Sequence, residues 1–207
     1  MSASRLVAPA VLLWGALLAL VLAWPRLTAS PTAGDDLTRH TVRLALLYYA
    51  AALTLMIRMR RPDWLARSGR GRLARWCWTL AWAAFVVHLG MAFHHYHHWS
   101  HASAVEHTRE VSGFGEGIYF SHLFALAWTA DMMAWWLRPA WYARRSPWVD
   151  RALHGYMLFI IFNATIVYET GLIRWLGMAL FAWLAAVWTL GRLHPGAGRG
   201  DRSSSCV

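Results

Sequence analysis

Six apolar stretches alternate along the chain with short polar segments. Each is close to the roughly 17–25 residues that a membrane-crossing helix needs. They cover about 6–24, 41–57, 76–96, 118–137, 152–170 and 172–190. The second is short for a span, and polar residues interrupt the fourth. This pattern predicts an all-α, polytopic integral membrane protein. A six-helix transmembrane bundle would occupy 1–191, with an outer segment at 94–117 and a Gly/Ser-rich, disordered cytoplasmic tail at 192–207. The first stretch is longer than the apolar part of an ordinary signal peptide. It is read as a retained helix even though small residues follow it in "LTASPTAG".

Composition supports the membrane class. Of 207 residues 58% are hydrophobic and only 14% are charged, with a mean hydropathy of +0.33. Cys77 and Cys206 form no CxxC and no thiolate metal motif. The net charge of +10 comes entirely from arginine in excess of acid. No basic residue sits in a pattern suited to nucleic acid, so nucleic-acid binding is not expected.

The arginines act instead as a topology signal. "RMRRPDWLARSGRGRLAR" and "RPAWYARRSPWVDR", with Arg5, Arg192, Arg199 and Arg202, put fifteen arginines on one side of a six-span bundle. Five remain on the other: Arg26, Arg39, Arg43, Arg109 and Arg174. The positive-inside rule then places both termini in the cytoplasm and the segment 94–117 on the periplasmic side of an inner membrane. Trp24, Trp99 and Trp175 fit an outer aromatic belt, and Trp76, Trp135, Trp141 and Trp148 an inner one. "RPDWLAR" and "RPAWYAR" also echo each other, each after an outward-to-inward span. This is either a duplicated hairpin or the same interfacial solution used twice.

Polar residues inside apolar spans need a partner or a purpose. At about 1.5 Å of rise per residue, Asp131 lies roughly 10 Å from Arg138. The two are expected to pair down one helix face. His88 and Asn163 lie near the midplane, and Asn163 is expected to act as inter-helix glue together with Ser121 and Thr129. His95, His122 and Glu169 reach the outer boundary from three different spans. His154 and His194 look incidental.

The stretch "FHHYHHWSHASAVEHTRE" holds the densest candidate chemistry. If the third helix continues outward, His94, His97, His98 and His101 share one face, and the i,i+4 pairs let two imidazoles reach one ion. Alternatively the helix ends near Trp99, and Ser103 to Glu106 cap a short interfacial helix carrying Glu106, His107 and Glu110. The expected ligands of a transition-metal ion are His94, His98, His101, His122 and Glu169, with His95, His97, Glu106 and His107 as second choices. Imidazole with carboxylate suits Zn, Cu(II) or non-haem Fe.

A b-type haem between His95 and His122 is the alternative. A structural or accessory subunit, in a larger membrane complex or a homo-oligomer, with a pH-responsive histidine loop is the third. "HHYHH" resembles one box of the membrane di-iron hydroxylases and desaturases. Those enzymes use several boxes on the cytosolic side, so no residue roles are carried over from them. No nucleophile constellation, phosphate loop or dinucleotide fingerprint occurs, so no catalytic residue is assigned.

Overall fold

The computed structural model describes residues 3–193; the expected tail beyond Leu193, including His194 and Cys206, lies outside the described residues. Eight α-helices follow in order: α1 (Val7–Leu27), α2 (Ala33–Ile57), α3 (Gly69–His95), α4 (His101–Ser112), α5 (Gly117–Leu137), α6 (Pro139–Arg144), α7 (Pro147–Phe162) and α8 (Gly171–Leu193). A 3-10 turn at Arg61–Leu65 joins α2 to α3, and a π turn at Asn163–Val167 extends α7. Among the described residues there is no strand. Four helices, α1, α2, α3 and α8, are long and apolar enough to cross a membrane. The polar side chains of α5 and the 16-residue length of α7 keep these two outside that group.

The centre of the fold is the antiparallel pair α2 and α3. Buried Ala45 and Ala52 on one helix and Ala74, Ala81 and Ala84 on the other recur three or seven residues apart. Small residues at that spacing let two backbones approach closely. Against them α5 presents Phe124, Trp128, Asp131 and Trp135, a stripe of helical period. Tyr49, Trp78 and Trp128 meet there with ring centroids 5.1–5.6 Å apart, and Phe85 stacks on Trp128 at 5.5 Å.

Indole N–H groups supply much of the polar adhesive between helices. Trp82 Nε1 donates to Thr129 Oγ1 (2.9 Å), Trp136 Nε1 to Thr79 Oγ1 (2.8 Å) and Trp183 Nε1 to Thr54 Oγ1 (3.0 Å). Thr129 is therefore inter-helix glue, as the sequence implies. Asn163 is not: its Nδ2 donates to the Phe159 carbonyl of its own helix. Trp135 also departs from expectation. It is fully buried, stacks on Tyr142 and donates to the Trp64 carbonyl (2.8 Å), so it is core and not belt. Trp24, Trp99, Trp175, Trp141 and Trp148 are exposed as belt residues would be.

The two echoed segments lie together but fold differently. Trp64, in the 3-10 turn, packs on Trp135 and Tyr142, whereas the equivalent Trp141 of α6 is exposed. Asp63 accepts from the Arg60 N–H (3.0 Å) and the Ser68 hydroxyl (2.5 Å), and Ser68 caps α3 by accepting from Gly71 N–H. A Cβ at position 71 would come within 1.9 Å of the Asp63 carbonyl oxygen, so glycine is required for this close approach.

Candidate functional site

The histidine segment breaks where one continuous helix would have aligned it. α3 stops at His95, and His98 and Trp99 enter the left-handed region with φ of 46° and 59°. The Trp99 N–H turns back to the Phe93 carbonyl (2.9 Å), and Ser100, not Ser103, accepts the capping bond that opens α4. The reversal separates His94 and His98 from the face that carries His101.

Two imidazole pairs result, each bridging elements. His97 faces His107 at 5.4 Å between ring centroids, and His101 faces His122 at 5.4 Å. Burial, with the neighbouring His107 and His98, holds the His97 imidazole below its ordinary pKa. His94 lies edge-on to His95 at 4.8 Å. The His95 ring packs over Gly34 of α2, while His122 faces α4, so the two haem candidates face different neighbours. Glu106 is tied to Arg109 on the surface of α4. Glu169 lies apart from His94, His98 and His101, in the wall of a cavity. Among the described residues, no three His, Cys, Asp or Glu side chains form a group able to hold a metal ion.

That cavity is a large concave feature of the fold. It measures about 960 Å³ and runs between α2, α3, the π turn and α8. One end carries Asp35, Arg39, Arg43, Tyr96, His107 and Glu169. The other end is apolar, with Leu46, Ala50, Ala179, Leu180 and Trp183. Leu47, Leu176 and Trp183 line it and remain about half exposed, so it opens sideways between α2 and α8.

The local sequence explains the opening. Asn163 gives its amide to Phe159 while its carbonyl accepts from the Tyr168 N–H (3.0 Å), which widens the helix into a π turn. The widened turn puts Ala164 and Thr165 into the cavity wall. Gly177 of α8 fits against Thr165, where a Cβ would lie 2.7 Å from the hydroxyl oxygen.

Several cavity groups have defined roles. Tyr96 donates to Asp35 Oδ1 (2.6 Å) and stacks on His107 with an interplanar angle of 6°. His88 Nδ1 lies 2.9 Å from the Thr38 carbonyl oxygen, which can only accept. Nδ1 therefore carries a proton, and the His88 side chain lines the cavity. Arg43 has a buried Nε without a hydrogen-bond partner, and its Nη1 touches His40 at 3.2 Å. Arg39 and Arg43 are missing from the candidate ligands read in the sequence. Their signal there was two arginines four residues apart beside an apolar run, with no acid three or four residues from Arg43.

Asp131 is paired, but not with Arg138. Arg138 is exposed, and the partner is Arg145, which α6 folds back toward α5. Asp131 Oδ2 also accepts from Trp78 Nε1 (3.0 Å) and the Tyr142 hydroxyl (2.9 Å). Arg145 reaches Asp150 and lies 3.7 Å over the Tyr142 ring. Burial and the adjacent Asp131 push the Tyr142 hydroxyl well above its ordinary pKa. His154 is part of this surrounding: its ring meets Trp78 edge-on at 5.5 Å, and it lines a second cavity of about 470 Å³ with Asp150, Leu53 and Phe181.

The fold and these cavities define a class: an all-helical protein with four helices long and apolar enough to cross a membrane. Comparison with known protein families, curated proteins and solved structures finds no match for this chain.

Proposed function

We propose that the chain is a six-span inner-membrane protein that takes an amphiphilic molecule into its outer cavity. One observation carries the reading: a single cavity of about 960 Å³ with charged side chains at one end and apolar side chains at the other. Ligand sites are commonly concave, mostly apolar, and equipped with a few polar groups that fix orientation. A sideways opening between two helices admits a molecule from the bilayer without passage through water.

The span count rests on length. α5 has 21 residues, and α7 with its π turn runs on for sixteen plus five, also 21, or about 30 Å. With six spans, the fifteen-to-five arginine asymmetry puts both termini in the cytoplasm and the cavity mouth on the periplasmic side. Cysteine labelling tests this orientation: Ser103→Cys should react with an impermeant reagent from outside and Ser68→Cys should be protected. Native mass spectrometry of protein extracted in mild detergent tests the occupant. A bound amphiphile should be retained by the wild type and lost from Ala50→Trp, which fills the apolar end. Equal retention by both would remove the cavity from the account.

A second reading concerns the outer histidines. His101 and His122, 5.4 Å apart on α4 and α5, form a two-imidazole site for a Zn, Cu or Fe ion whose remaining ligands are water. Elemental analysis should then find metal in the wild type and none in His122→Ala. Metal retained by that variant would refute the pair as the site.

A further inference from the structure

We infer that the head group received at the outer end of the cavity is a phosphodiester, held by Arg39 and Arg43. This deepens the amphiphile reading and rests on it. The two arginines are four residues apart on α2, hence on one helix face, and both line the cavity. Neither belongs to any ion pair among the described residues. The Arg43 Nε is buried and unpartnered, and a buried donor without an acceptor is costly unless a ligand supplies one.

Guanidinium groups present planar forks of N–H donors that match the oxygens of phosphate, and their charge persists at any physiological pH. Of the two carboxylates at this end, Asp35 accepts from Tyr96, and neither it nor Glu169 forms an ion pair with Arg39 or Arg43 among the described residues. Depth agrees with a lipid. Arg39 and Arg43 lie in the outer half of α2, while Ala50 lies seven to eleven residues further along the helix, about 10–16 Å inward. Acyl chains entering beside Leu47 and Trp183 would bring a phosphate to the level of the arginines. The head group accordingly comes from a membrane lipid and not from free phosphate.

The test uses the full-length protein in detergent. Binding is measured for dioleoyl phosphatidylglycerol, for dioleoyl phosphatidylethanolamine, and for dioleoylglycerol, which has the same chains without phosphate. The wild type should bind both phosphodiester lipids at least tenfold more tightly than dioleoylglycerol. Arg39→Gln/Arg43→Gln should lower phosphodiester binding to the dioleoylglycerol level and leave dioleoylglycerol binding unchanged. Arg39→Lys/Arg43→Lys, which keeps the charge, should recover part of the loss and shows that the face tolerates substitution. Inorganic phosphate at millimolar concentration should not displace the lipid.

If the glutamine variant binds phosphodiester lipids as the wild type does, while Ala50→Trp binds none of the three, the head-group inference is wrong and the cavity reading stands. If Ala50→Trp binds all three as the wild type does, the cavity reading itself is wrong. Displacement by inorganic phosphate would overturn the lipid as the source of the anion.

Discussion

Removing the carboxylate of Asp131 should be the most damaging single polar change in the described fold. The Asp131 side chain is 3% exposed and that of Arg145 is 5% exposed, so neither charge can turn to water. Asp131→Ala leaves a buried guanidinium with Asp150 as its remaining acidic partner, and Asp150 is itself 35% exposed. It also strands the indole N–H of Trp78 and the hydroxyl proton of Tyr142. Breaking a buried pair by removing one partner costs about 3–5 kcal/mol. For a chain of this size that corresponds to a drop in melting temperature of about 6–20 °C.

The assay is thermal unfolding of purified protein in detergent, followed by tryptophan fluorescence. Asp131→Asn keeps an acceptor for Trp78 and should lose about half as much. Asp131→Leu/Arg145→Met removes both charges of the buried pair and leaves Asp150, whose side chain is 35% exposed, as the remaining charge. The double variant should therefore be more stable than Asp131→Ala. A melting temperature for Asp131→Ala within about 2 °C of wild type would refute the assignment.

Gly71→Ala should lower stability by about 1–3 kcal/mol, because the added methyl collides with the Asp63 carbonyl and the whole 3-10 turn must shift; the same melting assay reads it. Asn163→Ala should change stability by less than about 0.5 kcal/mol, since its amide serves its own helix, whereas Thr129→Val, which strands the Trp82 N–H, should lose about 1 kcal/mol. Acidification should destabilise the histidine-rich segment through His97. Its folded-state pKa is depressed, so its contribution is fully present above the ordinary value of 6.5 and is lost as pH falls from there through the lowered value. Hydrogen exchange of the amides at 96–101 should accelerate over that range in the wild type and much less in His97→Phe; identical profiles would refute the His97 assignment.

The local pattern of the sequence determined the helices themselves. Runs of apolar residues too long for soluble elements set α1, α3 and α8. Proline and serine at 139, 146 and 147, and Gly113 in its left-handed turn, set where helices start and stop. The end of α2 at Ile57 was legible because arginine follows at once. Its start was not: the apolar stretch begins at about 41, yet acidic residues such as Asp35 and Asp36 are stable in a first helical turn, and α2 begins at Ala33.

What only the tertiary structure decided was partnership. Asp131 and Arg138 are seven residues apart, which a helical ruler reads as one face. A chain reversal at α6 instead brings in Arg145, fourteen residues away. Likewise the histidines looked like one ligand face under the assumption of a straight helix. The left-handed turn at His98 and Trp99 distributed them into pairs with α4 and α5. The cavity with Arg39, Arg43, His88 and Glu169 draws on α2, α3, α4, the π turn and α8, and helical spacing describes only residues within one element. Which side chains meet across elements follows from how chain reversals and close-packed glycines and alanines set one helix against the next, and that is a property of the assembled fold.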